Sequence, residues 1–379
     1  MSEVQGTAAD GFGAVTDLLA ANLADGTDVG ASLCVIRDGE IVVDLWGGVA
    51  DVESGRAWER DTIVHTWSVT KTMATLVVMH LVDQGVLDLR APVATYWPEF
   101  AANGKELITV EQILAHTAGV PGWDEPMDVD AVCDVPAASA KLAEQAPWWT
   151  PGEGSGYAAL AFGHLLSELV LRASGRTLSE VFRTEVAGPI GADYHIGTTA
   201  EVEPRIATLI APEGRVADMS KLGADHPAVR VLGNPVMRVP ATATEQWRRA
   251  ELAGVNGHGN ARSMAQLQSA LSHQGIAHGG HRLLSEEAVR EIHTERAHGP
   301  DRVLFLPIRF GLGVGLSAPD APGWLPENAS WWPGWGGAIV VNDIDRRVTM
   351  AYAMNKMTVD LVGAQRTTDY VRTVWEALG

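Results

Sequence analysis

Trp67-Ser68-Val69-Thr70-Lys71-Thr72-Met73 opens a run that continues through Ala74-Thr75-Leu76-Val77-Val78-Met79-His80-Leu81-Val82 towards Gln84 and Gly85. The run holds no internal glycine or proline, and Gly85 suits a left-handed C-cap. A helix is therefore predicted from Trp67 to about Gln84, with Ser68 in its first turn. Three residues is nearly one helical turn, which sets the Ser68 and Lys71 side chains side by side on one face. A serine hydroxyl is a poor nucleophile at neutral pH unless a base lies within hydrogen-bond reach. A lysine serves as that base once burial destabilises its charged form. With five lysines and sixteen serines in 379 residues, chance alone gives about 0.2 such pairs. On the tetrapeptide alone, a capping serine with a solvated lysine one turn on is the alternative.

Working outward, apolar residues at helical spacing (Phe12, Val15, Leu18, Leu19, Leu23) predict an opening helix over Gly11 to Leu23. Ala31–Ile36 and Ile41–Trp46 read as two strands joined by Arg37-Asp38-Gly39-Glu40, where Asp-Gly is a hairpin turn signal. From Leu89 to about Gly280 helical segments dominate (110–116, 137–145, 163–173, 178–186, 263–273), separated by Pro- and Gly-rich loops. After a helix at 283–293, three short strands are predicted at 310–317, 338–343 and 347–354, then a closing helix from Thr367 to Leu378. Strands at both ends and helices between them predict an α+β fold: an antiparallel sheet built from both termini and flanked by helices, plus an inserted, mainly helical domain. The expected division is 1–88 with 281–379 for the sheet domain and 89–280 for the insert, with the site in the cleft between them.

Familiar catalytic signatures are missing. The near-miss Gly152-Glu153-Gly154-Ser155-Gly156 is not Gly-x-Ser-x-Gly, and there is no phosphate-binding Gly-x-x-x-x-Gly-Lys-Ser/Thr, no His-Glu-x-x-His and no paired Cys-x-x-Cys. Two other elements bear on chemistry. Pro147-Trp148-Trp149-Thr150-Pro151 through Gly156 is a stiff aromatic loop that delivers Tyr157 just before a helix. A tyrosine beside a cationic lysine favours phenolate and can relay protons, although a core tyrosine with one satisfied hydroxyl is the alternative. Trp335-Gly336-Gly337-Ala338 leads into an apolar strand. Glycines there permit close backbone approach to a ligand, and the N–H groups of Ser68 and Ala338 are candidate donors to an oxyanion. The alternative is a tight turn into an edge strand.

Taken together, these elements resemble the serine β-lactamase-like esterases, the family VIII carboxylesterases related to class C β-lactamases and D-Ala-D-Ala peptidases. Ile113-Leu114-Ala115-His116-Thr117-Ala118-Gly119-Val120, Gly257-His258-Gly259-Asn260-Ala261-Arg262-Ser263 and Phe310-Gly311-Leu312-Gly313-Val314-Gly315-Leu316 also resemble family stretches, in the family's order, over roughly residues 11 to 378. The resemblance implies a β-lactamase-like fold, with Ser68 as the acyl-forming nucleophile, Lys71 and Tyr157 as its base pair, and Trp335-Gly336-Gly337 as the third motif. No cofactor and no metal are implied. Two departures matter. Tyr157-Ala158-Ala159 stands where the lactamases have Tyr-x-Asn, and Trp335 stands where they have a lysine for the substrate carboxylate. Both point towards neutral small to medium esters. Trp148, Trp149, Trp331 and Trp332, with Trp335, fall in the two loops expected to flank the nucleophile, where an aromatic pocket suits an acyl chain or aryl alcohol.

Composition bounds the rest. With 46% hydrophobic and 20% charged residues the chain reads as globular. A formal net charge of −19 repels phosphate backbones and anionic lipid, against nucleic-acid and membrane-surface roles. Cys34 and Cys133 read as two reduced structural thiols. Met73 to Val82, interrupted by His80, falls short of the roughly 18 residues of a membrane span. Met1-Ser2-Glu3-Val4 lacks a basic segment followed by an apolar one, so a soluble, cytoplasmic protein is expected unless a leader was removed before this numbering began. His273, His278 and His281 are too loosely spaced for a metal site and read as a surface loop, and His116 reads as structural. The expected partner is a small-molecule ester. An acyltransferase using the same acyl-serine is the nearest rival, separable by product partition with added alcohol or amine. A β-lactamase or D-amino-acid peptidase follows, and the non-enzyme alternative is a penicillin-binding-like receptor or a dead scaffold. Oligomeric state stays open, with a homo-oligomer among the options.

Overall fold

The computed structural model of the chain describes residues 3–214, 219, 221–319 and 323–379; Met1 and Ser2 lie outside it. The order begins with β1 (Gln5–Ala8), α1 (Gly13–Asp25), β2 (Gly30–Arg37), β3 (Glu40–Asp51) and α2 (Thr70–Asp83). Helices α3 (Ala161–Ser174) and α4 (Ala261–Ser272) are the long helices of the middle. Then come β4 (Ala297–Pro300), β5 (Pro307–Phe310), β6 (Gly315–Leu316), β7 (Ala329–Pro333), β8 (Ile339–Asp343), β9 (Val348–Met354) and α5 (Gln365–Leu378). The strands form one antiparallel sheet in the order β1-β3-β2-β9-β8-β7-β6-β5-β4, with Arg56–Ala57 paired to β3. The two ends of the chain meet where β9 pairs with β2, Val348 opposite Arg37 through Met354 opposite Ala31.

The β2–β3 turn follows from its residues. Asp38 and Gly39 both take positive φ, 51° and 84°, the conformation whose twist matches the flanking strands. All seven residues of β9 are buried, as expected of a strand covered on both faces. Side-chain alternation shows how. The Tyr352 ring stacks on Tyr370 of α5 at 4.6 Å, whereas Thr349, on the opposite face, meets Ser272 of α4 at 2.8 Å. Helix α2 is buried nearly all round, as a helix apolar on every side must be. A large apolar core runs from Phe12 through α2 and α3 to Val374, and a smaller cluster gathers Tyr157, Val231, Val303, Ile308, Phe310 and Trp332.

Three features depart from the sequence expectation. Residues 310–317 are two strands, because Gly311 and Gly313 turn the chain between β5 and β6. Gly313 has φ +65°, and a Cβ there would overlap Thr75 of α2. Trp331 and Trp332 lie in a fully buried strand, β7, and not in a loop. A separate three-stranded sheet of Val64–His65, Gly257–Gly259 and Tyr194–Ile196 braces the entry to α2. Gly257 admits no side chain because a Cβ would overlap the Tyr194 hydroxyl. No helix among the described residues is long and apolar enough to cross a membrane. Cys34 is buried, Cys133 is half-buried, and both are free thiols.

Helix α3 approaches residues 253–254 so closely that a Cβ on Gly163 would overlap the Ala253 and Gly254 backbone. Gly163→Ala gains up to about 1 kcal/mol of helix propensity, while forcing a methyl into a filled contact costs about 1–3 kcal/mol. The expected result in chemical denaturation is a lower midpoint with unchanged m-value. An unchanged or raised midpoint contradicts the close contact.

Candidate active site

Ser68 lies in the 3-10 turn Trp67–Val69 that leads into α2. Trp67 has φ +49°, a left-handed conformation that costs a bulky residue about 1–3 kcal/mol. Several contacts hold it there. Its N–H donates to His65 Nδ1 at 3.3 Å, and its carbonyl accepts the Thr70 hydroxyl at 2.5 Å. Its ring packs 4.5 Å from His65 and 4.9 Å from Trp335. The adjoining Thr66 N–H donates to Gly257 O at 2.9 Å. This strain was not legible in the sequence. It turns the chain so that Ser68 starts the helix facing open space.

Lys71, one turn on, is completely buried. Its Nζ lies 2.7 Å from Ala159 O, 2.8 Å from Gly254 O and 3.2 Å from Ser68 Oγ. No carboxylate is among those partners. Burial therefore pushes the amine well below its ordinary value of 10.5, because no counter-charge offsets the loss of hydration.

The Tyr157 hydroxyl donates to Ser68 Oγ at 2.6 Å, and Lys71 Nζ sits 4.8 Å from the Tyr157 ring centroid. Burial raises the Tyr157 phenol, outweighing the lowering by its bond to Ser68. Burial thus works against the phenolate that a neighbouring cationic lysine would favour. The charged forms of both groups, the Lys71 ammonium and the Tyr157 phenolate, are disfavoured in this way.

The Tyr157 backbone is clamped from two sides. His116, with φ +60°, accepts Gly156 N–H on its carbonyl at 3.0 Å and Ala158 N–H on Nδ1 at 3.2 Å. Its ring lies 5.1 Å from the Tyr157 ring, and burial pushes the imidazole well below its ordinary range. On the other side, Asp301 Oδ1 accepts the N–H groups of Tyr157 at 3.1 Å and of Val303 and Leu304 at 2.9 Å.

Ser68 and Tyr157 lie in the wall of a cleft of about 950 Å³. Its lining is mostly apolar, with Val231, Leu232, Val236, Leu304, Trp332 and Trp335 prominent, and Arg238 is the one charged side chain among its described residues. The stretch 231–240 went unread in the sequence, although its apolar run between prolines was a signal. Trp332 and Trp335 face this cleft. Trp331, next along β7, points to the other side and packs on Trp324 at 5.5 Å. Trp148 and Trp149 also stand outside the lining. Trp148 lies 3.6 Å from the Arg230 guanidinium and donates to Asp124, while Trp149 packs against Gly156 and near Arg302.

Gly336 and Gly337 lie behind Trp335 with φ of +90° and +128°. Their carbonyls accept from Arg366 Nη2 at 3.1 Å and Thr367 Oγ1 at 2.7 Å. Ala338 follows, buried at the head of β8. Gly334 admits no side chain, since a Cβ would overlap Thr66 O, so this turn lies directly against the chain that carries Ser68. His273 and His278 bond separately, to Arg347 and to Gly39 O.

Residues 15–371 match the family described as Beta-lactamase. The chain belongs to the beta-lactamase family. A crystal structure titled as a family VIII carboxylesterase superposes with a TM-score of 0.92 at 37% identity, covering 99% of this chain and 100% of that one. Esterase/beta-lactamase LipL of Mycobacterium tuberculosis (strain ATCC 25618 / H37Rv) is 32% identical over 345 residues, 88% of this chain and 78% of its own length. Esterase EstB of Burkholderia gladioli is 36% identical over 180 residues, 43% of this chain and 45% of its own. The sheet and helices described above form the family's β-lactamase-like α+β fold.

Asp301→Ala leaves the buried N–H groups of Tyr157 and Val303 and the half-buried one of Leu304 without this acceptor, at about 1–3 kcal/mol for each buried one, whereas Asp301→Asn keeps an acceptor oxygen. Thermal unfolding is expected to show a large fall for alanine and a small one for asparagine. Equal falls contradict the role given to Oδ1.

Proposed function

We propose that the protein is a serine carboxylesterase that hydrolyses small to medium neutral esters through an acyl-Ser68 intermediate. The observation that carries this reading is the Ser68 hydroxyl held between Tyr157 Oη at 2.6 Å and Lys71 Nζ at 3.2 Å, in the wall of an apolar cleft. The esterase names of LipL and EstB, and of the family VIII structure, support it.

The chemistry follows from the neutral pair. The Ala159 and Gly254 carbonyls take both N–H bonds of an uncharged Lys71, which leaves its lone pair towards Ser68. Ser68 O–H gives its proton to that lone pair as Oγ attacks the ester carbon. The carbonyl oxygen becomes an oxyanion held by the N–H groups of Ser68 and Ala338. The proton then passes through Tyr157 to the departing alcohol. A water, deprotonated by the same pair, releases the acid and restores Ser68.

Neutral substrates are favoured by what stands at two positions. Ala159 supplies a methyl and a carbonyl already committed to Lys71, not an amide side chain. Trp335 packs on Trp67 and brings no charge to the cleft. The apolar wall suits an acyl chain or an aryl alcohol.

Hydrolysis of p-nitrophenyl butyrate tests the reading. Ser68→Ala is expected to lose at least about 10³-fold in kcat. In the wild type, kcat/KM is expected to rise with pH through an ionisation well below 10.5, because protonating Lys71 removes the base and its folded pKa is lowered. Activity retained in Ser68→Ala, or a limb at the ordinary lysine value, overturns the mechanism.

A further inference from the structure

Trp332 stands in β7, whose five residues are all buried, and it lines the cleft together with Ser68 and Tyr157. Only 2% of it is exposed. Its place along the strand is set by the ladder, where it faces Val340 of β8. Its ring is held by other rings: Tyr157 at 5.3 Å, Phe310 at 5.5 Å and His116 at 6.3 Å between centroids.

The indole nitrogen is the one polar atom of this side chain, and it can only donate. It is buried and has no hydrogen-bond partner among the described residues, a state that costs free energy in a resting fold. Trp67 and Trp335, also in the cleft wall, carry unpartnered indole nitrogens too. Trp332 alone of the three is among the groups that act on the Tyr157 phenol. Burial raises that phenol, the side chains of Ser68 and then Trp332 lower it, and Asp301 adds a rise. Trp332 has nothing but its N–H with which to favour a phenolate. The N–H therefore lies against the Tyr157 oxygen without closing a hydrogen bond in the resting site. There Tyr157 is a donor, to Ser68 Oγ at 2.6 Å, and its oxygen becomes a strong acceptor only as its proton leaves.

We propose that Trp332 is a positioning residue for proton delivery, its indole N–H closing a hydrogen bond to Tyr157 Oη as the phenol gives its proton to the departing alcohol. The proposal rests on the acyl-Ser68 reading above. In the step concerned, the oxyanion's electron pair re-forms the carbonyl of the acyl-serine and the C–O bond to the alcohol breaks. The departing oxygen keeps that bond's electron pair and takes the Tyr157 proton. Lys71, protonated by Ser68 during the attack, returns a proton to Tyr157 and is neutral again. Negative charge on Tyr157 Oη is thus transient, and a donor that engages it only then lowers the barrier without tightening substrate binding. A hydrogen bond to a charged oxygen is worth about 10- to 100-fold in rate.

The experiment reads the dependence on the leaving group. Ethyl butyrate and p-nitrophenyl butyrate give the same acyl-serine, but ethoxide needs a proton to leave and p-nitrophenolate does not. Trp332→Phe removes the N–H together with part of the ring. Site-specific 3-benzothienylalanine at position 332 keeps the fused ring and puts sulfur in place of the N–H. Both proteins are expected to lose about 10- to 100-fold in kcat/KM on ethyl butyrate and less than about threefold on p-nitrophenyl butyrate. Full activity of the benzothienylalanine protein on ethyl butyrate overturns the proposal. An equal or greater loss on p-nitrophenyl butyrate does so too, because it marks a damaged cleft wall. A wild type that cleaves p-nitrophenyl butyrate alone also overturns it, since no proton is then delivered to an alcohol. If the wild type cleaves neither ester, or Ser68→Ala cleaves both, the esterase reading fails first and takes this inference with it.

Discussion

An amine buried without a counter-ion among the described residues governs this structure. Lys71 has two carbonyls and a hydroxyl within 3.2 Å and no carboxylate. Burying an unpaired ammonium costs several kcal/mol, whereas a neutral amine with its two N–H bonds satisfied costs little. Burial thus disfavours the charged form of Lys71, and it works in the same way against a phenolate at Tyr157. Ser68 Oγ stands between the Lys71 amine and the Tyr157 hydroxyl.

That arrangement needs the surrounding backbone brought unusually close. Gly163 lets α3 touch Gly254, whose carbonyl holds Lys71. Gly257 lets the small sheet brace Thr66, and Gly334 lets the β7–β8 turn lie on the chain that carries Ser68. Elsewhere the polar positioners are buried and pre-bonded: His116 and Asp301 on Tyr157, Arg366 and Thr367 on the Gly-Gly turn. The geometry around Ser68 is held by main-chain atoms of several segments, and side chains outside the cleft hold those segments.

Much of this was legible from residue order, and the reason differs by element. Asp38-Gly39 carries its own turn conformation, so the β2–β3 hairpin reads directly. Ser68, Lys71 and Tyr157 were singled out by helical spacing and by a stiff loop, and they lie within one hydrogen-bonded group. The tryptophans were not separable, because alternation along β7 decides that Trp332 and not Trp331 faces the cleft, and its register depends on pairing with β6 and β8. The turn at Gly311–Gly313 was hidden inside an apolar run. The effect of a neighbouring charge on the Tyr157 phenol was legible, but the opposing effect of burial was not, because burial is a property of the assembled core. Thr367 and Arg366 carried no local signal at all, since their partners lie some thirty residues away.

The central claim is that ester hydrolysis passes through a covalent bond to Ser68. The most direct measurement is rapid quench of wild-type protein with p-nitrophenyl butyrate in the first turnovers, followed by intact-mass and peptide mass spectrometry. The expected result is a butyryl mass increment that appears and decays with turnover and maps to the peptide containing Ser68. Steady ester cleavage with no acylated protein at any time, or an acyl group on another residue, would contradict it.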